Sequence, residues 1–313
     1  MPGSSRSTSA GILMYHGIRG RAQVSGVTNY FRYNISKDAL KEHLAWLSKH
    51  CHPVSLAEMR TGRRLAKNKP NVIVTFDDGY ENNYTLAFPL LKRYRVPAVF
   101  ALPTAFVCDR EPLWNDIVEH AVNHTSKARV RFKWAGVTRE FAIDDLAGRL
   151  ALNKWVIGEC VRVQQERRSD LIAAAVDALG VTSDARVLFR NADYRPLTMT
   201  QIGEMAESGL IEFASHSVHH YLLTLLRPGT RRRELRESKE RLEALTGIPC
   251  TTFSVPGGFF NDDVLRDVVA AGYEAVMTSV RGRTAPGNQV LNRNVLMDGD
   301  NVQMLAEAVN GVH

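Results

Sequence analysis

The sequence lacks any long hydrophobic run. No apolar stretch in its 313 residues approaches the roughly 18–20 residues that a membrane-spanning helix needs. The polar N-terminus, MPGSSRSTSAG, is followed by ILMY, which is too short for the apolar segment of about 7–15 residues in a signal peptide. These absences predict a cytoplasmic protein with no transmembrane segment, and we expect residues 1–10 to be flexible.

Cysteines are few and scattered. Cys51, Cys108, Cys160 and Cys250 lie far apart, so no pair has the spacing of a metal site and nothing indicates a disulfide framework. Reduced thiols are consistent with the cytoplasm.

Positive charge exceeds negative charge, and the formal net charge is +7. Such a balance fits a nucleic-acid partner, an anionic membrane surface or a phosphate-bearing substrate. In the densest basic run, RPGTRRRELRESKERLE from Arg227 to Glu243, arginines alternate with glutamates at the spacing of a solvated amphipathic helix. No nucleic-acid-binding motif accompanies it. We therefore expect no nucleic-acid partner, and leave open a peripheral membrane contact and a phosphate-bearing or lipid-linked substrate.

Strand-like runs alternate with helical patterns along most of the chain. The alternation predicts a parallel sheet with helices outside. A barrel is favoured over an open sheet, because no glycine-rich phosphate loop follows the first strand. The predicted strands are 11–17, 71–76, 97–102, 210–215, 251–255, 273–278 and 289–295, and the predicted helices are 36–50, 82–94, 198–209, 227–243, 261–271 and 300–310.

Residues 108–193 interrupt this alternation. They contain a predicted β-hairpin over 129–143, turning at Ala135-Gly136, and two predicted helices at about 143–163 and 167–180. We interpret the whole chain, 1–313, as a single domain in which 108–193 is an α+β insertion, and we expect the insertion to form one wall of a site.

Titratable and polar side chains follow several predicted strands at the point where each strand ends. The carboxyl ends of parallel strands meet at one edge of the fold, where active sites lie. We therefore expect these side chains to converge. They are His16, Asp77 and Asp78, the three histidines of SHSVHH (215–220), the glycines of PGGFF (256–260), and Arg293 with Asn294.

The SHSVHH segment has the spacing of a metal site. On a helical turn His216 and His220 lie about 5–6 Å apart and could bind one ion, although spacing alone does not exclude His219 in place of His220. Asp78 is the natural third ligand, since catalytic zinc sites use three protein ligands and leave one position open. We predict one divalent metal ion, with zinc preferred and cobalt or nickel also suited to this ligand set.

The neighbouring carboxylates of Asp77 and Asp78 would repel each other unless their roles differ. In our interpretation Asp78 binds the metal ion, while Asp77 accepts a proton from the attacking water. Gly79 lets the backbone turn after the strand, so both carboxylates can address the same cavity.

Taken together, these motifs resemble those of the polysaccharide deacetylases, carbohydrate esterase family 4. TFDDGY (75–80) resembles the first motif of the family, and HSVHH (216–220) resembles the second. FSVPGG (253–258) is similar to the third. ILMYHGI (12–18) looks like the N-terminal Met-Tyr-His of the branch that deacetylates exopolysaccharide.

The resemblance implies a distorted (β/α)7-type barrel and metal-dependent removal of N-acetyl groups from an amino-sugar-containing glycan or glycan precursor. It implies that Asp77 is the general base and that Asp78, His216 and His220 are the metal ligands. It also implies that the backbone N–H of Gly257 helps to hold the oxyanion.

Two features depart from the family pattern. Ser254 or Val255 stands where many members have an arginine that contacts the base aspartate, and LNRN (291–294) stands where they have a late catalytic histidine. The exopolysaccharide branch implies that His16 protonates the leaving amine instead. We hypothesise that Arg293 orients Asp77.

Aromatic side chains near these motifs are candidates for sugar-stacking walls, namely Trp114, Phe259 and Phe260. Two alternatives to a carbohydrate deacetylase stay open. One is a metal-dependent amidase or deformylase acting on a small, lipid-linked or nucleotide-linked substrate, and the other is a catalytically inactive sugar-binding barrel.

Overall fold

The computed structural model describes residues 9–20 and 25–312. Residues 1–8, which belong to the segment expected to be flexible, lie outside this description. The strands are β1 (Ala10–Tyr15), β2 (Ile18–Arg19), β3 (Ile35–Ser36), β4 (His52–Pro53), β5 (Asn71–Phe76), β6 (Ala98–Leu102), β7 (Arg129–Trp134), β8 (Val137–Ala142), β9 (Ile211–Ser215), β10 (Thr252–Ser254), β11 (Ala275–Met277), β12 (Arg283–Thr284), β13 (Val290–Leu291) and β14 (Asn294–Val295). The α-helices are α1 (Lys37–His50), α2 (Leu56–Thr61), α3 (Phe88–Tyr94), α4 (Trp114–His124), α5 (Leu146–Cys160), α6 (Arg168–Leu179), α7 (Ala185–Leu188), α8 (Met199–Glu207), α9 (Pro228–Thr246), α10 (Asp262–Ala270) and α11 (Val302–Asn310).

The main sheet is nearly closed into a barrel. Its strand order is β12-β1-β5-β6-β9-β10-β11-β13, and β14 pairs with the same edge of β1 as β12, opposite β5. Along this order every neighbouring pair from β1 to β13 is parallel. The edge strand β12 is antiparallel to β1. β1, β5 and β6 are buried along their whole length, as expected for strands covered on both faces. The predicted barrel is confirmed.

The predicted last strand, 289–295, is instead two short strands with different partners. β13 pairs with β11, and β14 pairs with β1. Between them the backbone N–H of Arg293 donates to the carbonyl of Val280 at 3.0 Å, outside either ladder. The chain must change partners here because it bridges the two ends of the sheet, which the local sequence pattern does not reveal.

Helices pack outside the barrel by burying one face each. In α1 the side chain of Ser36 accepts a hydrogen bond from the N–H of Ala39 and caps the helix. Leu40, Leu44 and Leu47, which share one face at helical spacing, are fully buried against the sheet. The predicted helix at 36–50 is therefore confirmed.

The stretch between β6 and β9 leaves the barrel. These two strands are neighbours in the sheet, although more than 100 residues separate them in the chain. Helices α4, α5 and α6 and the β7–β8 hairpin, which turns at Ala135-Gly136 as predicted, bury a hydrophobic cluster of their own. Within residues 9–20 and 25–312, every helix is too short or too polar to cross a bilayer.

Candidate metal centre and active site

The two adjacent aspartates lie in a tight turn at the carboxyl end of β5. Asp78 and Gly79 both have positive φ angles, of 77° and 75°, so the chain reverses at once after the strand. A Cβ atom at Gly79 would lie 2.8 Å from Leu102 Cδ2, which together with its φ angle explains the glycine. Both aspartates are buried, and both line the same cavity.

Asp77 forms a two-pronged ion pair with Arg293. The guanidinium nitrogens Nη1 and Nη2 donate to Asp77 Oδ1 and Oδ2, each at 2.8 Å. Nη2 also donates to Ser254 Oγ at 3.0 Å, and that hydroxyl donates to Asp77 Oδ2 at 3.2 Å. Burial raises the pKa of Asp77, but the charge and hydrogen bonds of Arg293, together with the nearby His216 and His16, outweigh burial and hold this pKa well below its usual range. Asp77 is therefore ionised at neutral pH.

The histidine segment is a loop, and the predicted helical turn is wrong. Ser217 and His220 have positive φ angles, of 64° and 53°, which no regular α-helix contains. The curled backbone nevertheless brings the rings of His216 and His220 to a centroid distance of 4.8 Å. Hydrogen bonds from distant residues replace those that a helix would have made, so the spacing of the histidines alone could not reveal the loop.

Asp78, His216 and His220 form a compact cluster of potential ligands. One donor atom from each lies within 4.8 Å of the other two. Asp78 Oδ1 lies 3.5 Å from His220 Nε2 and 3.8 Å from His216 Nε2. Ligands placed about 2.0–2.2 Å from a tetrahedral zinc ion lie about 3.3–3.6 Å from one another. The cluster therefore fits a divalent ion with small side-chain adjustments.

The hydrogen bond of His216 leaves the correct ring nitrogen free. Nδ1 donates to the carbonyl of Ser254 at 2.8 Å, which places the proton on Nδ1 and leaves the lone pair of Nε2 facing the cluster. His219 does not join the cluster, because its Nδ1 donates to Glu234 Oε1 at 2.6 Å. The geometry thus groups His220, and not His219, with the other two ligands.

The electrostatics of the cluster favour a cation. Burial, together with the charge of Asp77, raises the pKa of Asp78 to about 8. Burial lowers the pKa of His216, and it lowers the pKa of His220 well below the ordinary value for histidine. A buried carboxyl group beside two neutral imidazoles is poorly solvated, and a bound cation would stabilise its ionised form.

Trp114 contacts the ring of His220 on the side away from Asp78. Its indole N–H donates to His220 Nδ1 at 3.3 Å. The tautomer that accepts this bond carries its proton on Nε2, whereas a metal ion at Nε2 requires the proton on Nδ1. Metal binding must therefore break this hydrogen bond. The structure therefore places Trp114 against the cluster of potential ligands.

His16 lies in the same cavity, stacked on an aromatic ring. Its imidazole is parallel to the ring of Tyr33, with a centroid distance of 4.6 Å and an angle of 11°. Its Nδ1 is buried without a hydrogen-bond partner. Burial lowers the pKa of His16 to about 4, so the ring is neutral at neutral pH. Asn83 holds the backbone here by donating to the His16 carbonyl at 2.8 Å.

The cavity has a volume of about 400 Å³ and collects most of the predicted site residues. It is lined by His16, Asp77, Asp78, Trp114, His216, His220, Gly257, Phe259 and Arg293. Tyr33 also lines it, which the sequence did not predict. Phe260 does not line it, because this side chain turns inward and packs against the barrel core, whereas Phe259 is 56% exposed. A larger cavity of about 790 Å³ elsewhere contains none of the clustered ligands.

Two residues that support the histidine loop were missed in the sequence. Glu234 was assigned to the solvated face of a helix, but it is buried and accepts hydrogen bonds from the loop. Arg168 lies in the segment between β6 and β9, and it donates to two carbonyls of the same loop. No local pattern marks either residue, because each acts on a part of the chain that is distant in sequence.

Known proteins resemble the chain in sequence or in fold. Over 71 residues the chain is 42% identical to the poly-beta-1,6-N-acetyl-D-glucosamine N-deacetylase of Escherichia coli, and this match spans 22% of the chain and only 11% of that protein. The structure of the Streptococcus pyogenes deacetylase PplD in complex with acetate superimposes with a TM-score of 0.60 at 17% identity, covering 96% of this chain and 98% of the other. IcaB from Ammonifex degensii gives 0.60 at 18% identity, with 96% and 97% covered. At these identities the structural likeness shows a shared fold.

The family assignment depends on a broader match. The polysaccharide deacetylase family profile matches residues 64–147 and 169–276, which is more than half of the chain and includes the aspartate turn and the histidine loop. The chain belongs to the polysaccharide deacetylase family.

Proposed function

We propose that this protein is a metal-dependent carbohydrate N-deacetylase, which hydrolyses the N-acetyl group of an amino sugar in a glycan. One observation carries the proposal. Three ligands that suit a divalent ion, Asp78, His216 and His220, lie beside a separate ionised carboxylate, Asp77, in one cavity. A metal-dependent amide hydrolase uses this combination of a cation site and an adjacent base.

Asp78, His216 and His220 would hold the ion, for which zinc is our first choice and cobalt or nickel the alternatives. When bound there, the ion would polarise the amide carbonyl and lower the pKa of water. The hydrogen bond from His216 to Ser254 supports this ligand set, because it leaves the Nε2 lone pair of His216 free. His220 is also neutral, and its Nε2 becomes a ligand atom once the hydrogen bond from Trp114 is broken.

Asp77 removes the proton from the attacking water. Its carboxylate is kept ionised by Arg293, which also fixes its orientation through two parallel hydrogen bonds. Arg293 thereby takes the place of the arginine that the third motif lacks. Gly257 lines the cavity. Its backbone N–H is the proposed donor to the oxyanion that forms on the acetyl carbonyl.

His16 is the proposed proton donor to the leaving nitrogen. Because its pKa is about 4, the resting imidazole is neutral and carries no spare proton at neutral pH. It must therefore gain a proton during turnover. The proton that Asp77 takes from water supplies it, and His16 passes this proton to the nitrogen as the C–N bond breaks. The products are acetate and a free amine.

The cavity walls favour a sugar over a phosphate-bearing ligand. Tyr33, Trp114 and Phe259 offer ring surfaces for sugar stacking. Among the described residues that line the cavity, Arg293 is the only lysine or arginine, and its guanidinium is committed to Asp77. We therefore do not extend the proposal to a phosphate-bearing or lipid-linked substrate.

Acetate release tests the proposal. The purified protein, loaded with zinc or cobalt, is incubated with N-acetylglucosamine oligomers of β-1,6 and β-1,4 linkage, and acetate and free amine are measured. We expect both products in equal amounts, and none after chelation. Formyl and acetyl amides without a sugar, offered in parallel, test the amidase and deformylase alternatives. Sugar binding without release of acetate would instead identify an inactive binding barrel.

A further inference from the structure

The loop that carries both histidine ligands, residues 216–222, is held in place by hydrogen bonds from other parts of the chain. Its two left-handed residues, Ser217 and His220, have side chains with a Cβ atom, for which this conformation is costly. Such a conformation persists only where the surroundings hold it. The contacts that do so come from two sides.

The residues directly after β6, together with helix α9, hold the first half of the loop. The carbonyls of Ser217 and Val218 accept hydrogen bonds from the N–H groups of Thr104 and Ala105, at 3.1 and 3.0 Å. On the opposite face of the loop, Glu234 Oε2 of α9 accepts hydrogen bonds from the backbone N–H groups of Val218 and His219, at 2.9 and 3.0 Å.

The segment between β6 and β9 holds the second half. Arg168, at the start of α6, is only 3% exposed. Its Nη2 donates to the carbonyl of His219 at 2.9 Å, and its Nη1 donates to that of His220 at 3.0 Å. Gln165 Oε1 accepts from the same Nη1 at 2.9 Å and from the N–H of Leu222 at 3.2 Å.

Two aromatic rings fix the guanidinium itself. Its central carbon lies 4.9 Å from the centroid of Trp114 and 4.8 Å from that of Tyr221. A planar guanidinium has donors at fixed angles, so one group can bind two successive carbonyls while stacking on both rings. A lysine ammonium cannot reproduce this arrangement.

We propose that Arg168 is a positioning residue for the metal centre, because it fixes the peptide groups of His219 and His220 and thereby the ring of the ligand His220. The inference deepens the proposed function and rests on it, since it assumes that His220 binds an ion. The segment between β6 and β9 then does more than form a wall of the cavity. Its Arg168 holds His220, a ligand from the barrel, in the conformation that binds the ion.

Metal affinity of the substrate-free protein tests the inference. Metal-free wild type, Arg168→Met and Arg168→Lys are titrated with Co²⁺ and Zn²⁺ against a chromophoric chelator, and the visible absorption of bound Co²⁺ is recorded. Loss of an outer hydrogen bond to a ligand typically weakens metal binding about 10–100-fold. We expect a rise of this size in Kd for Arg168→Met, a smaller rise for Arg168→Lys, and an altered Co²⁺ spectrum for both.

Arg149→Met is the matched control. Arg149 lies in α5, and its guanidinium also donates to backbone carbonyls, those of Asn123 and Thr125, each at 3.2 Å and remote from the metal cluster. We expect its loss to lower the thermal midpoint of the metal-free protein without changing the Kd for Co²⁺ or the spectrum. If Arg168→Met does not fold, Arg168→Lys carries the test.

The outcomes separate this inference from the proposed function. If wild type binds Co²⁺ and releases acetate, but both Arg168 variants retain its Kd and spectrum, only the positioning role is refuted. If wild type binds no ion, both proposals are wrong. A higher Kd in the Arg168 variants supports the positioning role even where wild type releases no acetate, which would count against the proposed reaction alone.

Discussion

Asp77 and Asp78 are adjacent in the chain, yet their surroundings move their pKa values in opposite directions. Arg293 keeps Asp77 ionised, whereas burial and the charge of Asp77 raise the pKa of Asp78 to about 8. Two neighbouring carboxyl groups with pKa values shifted in opposite directions are typical of sites where the two groups have different roles. It supports Asp77 as the base and Asp78 as the ligand.

Replacing Asp77 by asparagine should separate catalysis from metal binding. Asparagine keeps the shape of the side chain but cannot accept the proton of water, and general-base catalysis contributes about 10²–10⁴-fold to rates. We expect Asp77→Asn to lose activity on this scale and to bind Zn²⁺ normally, as measured by acetate release and by metal analysis.

Asp78→Asn is the paired control for that experiment, because it should lose the metal as well as the activity. The assignment of the base is wrong if Asp77→Asn keeps a rate near that of wild type. It is also wrong if the two variants lose metal to the same extent.

The indole of Trp114 should report metal binding. Its N–H donates to His220 Nδ1, and this bond must break when Nε2 binds an ion. We therefore expect a change in tryptophan fluorescence when metal is added to wild type, and none in Trp114→Phe. This hydrogen bond stabilises the metal-free form by about 0.5–1.5 kcal/mol and therefore opposes metal binding. Trp114→Phe should bind metal about 2–10-fold more tightly than wild type. Weaker binding by the variant would show that the indole supports the metal-bound form instead.

At the scale of elements, the sequence predicted what local patterns determine and missed what distant contacts determine. Strand β5, helix α1 and the β7–β8 hairpin were predicted because periodicity and turn residues specify them. The histidine loop was misassigned because i,i+4 spacing is also typical of a helix. Only the distant Glu234 and Arg168 supply the hydrogen bonds that stabilise the loop.

Helix α4 should make stability depend on pH. Its Glu119 accepts a hydrogen bond from the hydroxyl of Tyr194 at 2.7 Å, and burial raises the pKa of Glu119 to about 7. In the unfolded chain the pKa of Glu119 is near 4.5. Between pH 4.5 and pH 7 only the folded state therefore keeps the proton on Glu119, so the free energy of unfolding falls as pH rises through this range. The contribution of Glu119 to this fall is at most about 3 kcal/mol, and it is complete above pH 7.

The variant Glu119→Gln removes this titration. We expect its urea midpoint to fall less steeply than that of wild type between pH 4.5 and 7. Glu140→Gln, on the exposed face of the hairpin, serves as the control and should keep the wild-type slope. Parallel curves for wild type and Glu119→Gln would contradict the prediction.

At the scale of the whole molecule, the site joins parts of the chain that are far apart in sequence. Asp77 and Asp78 follow β5, His216 and His220 follow β9, and Arg293 lies between β13 and β14, where the sheet closes on itself. The family and the barrel were predictable from short motifs and from strand–helix alternation. The contact between Arg293 and Asp77 could only be hypothesised, because it depends on how the barrel closes.

A bound ion should therefore stabilise the whole fold. It would bind only the native state, because only folding brings the ligands after β5 and β9 within 4.8 Å of one another. Free metal at 100 times its Kd adds about 2.7 kcal/mol to the free energy of unfolding. By the scaling for domains of about 150–250 residues, this corresponds to about 5–10 °C in Tm.

Thermal unfolding with and without a chelator measures this effect, and the ligand variants give it a sharp control. We expect chelation to lower the Tm of wild type and of Asp77→Asn alike, because Asp77 is not a ligand. His216→Ala and Asp78→Asn should melt at the same temperature with and without chelator, since neither can hold the ion. A chelator effect that persists in these two variants would mean that the stabilising ion binds elsewhere, and the assignment of the three ligands would then be wrong.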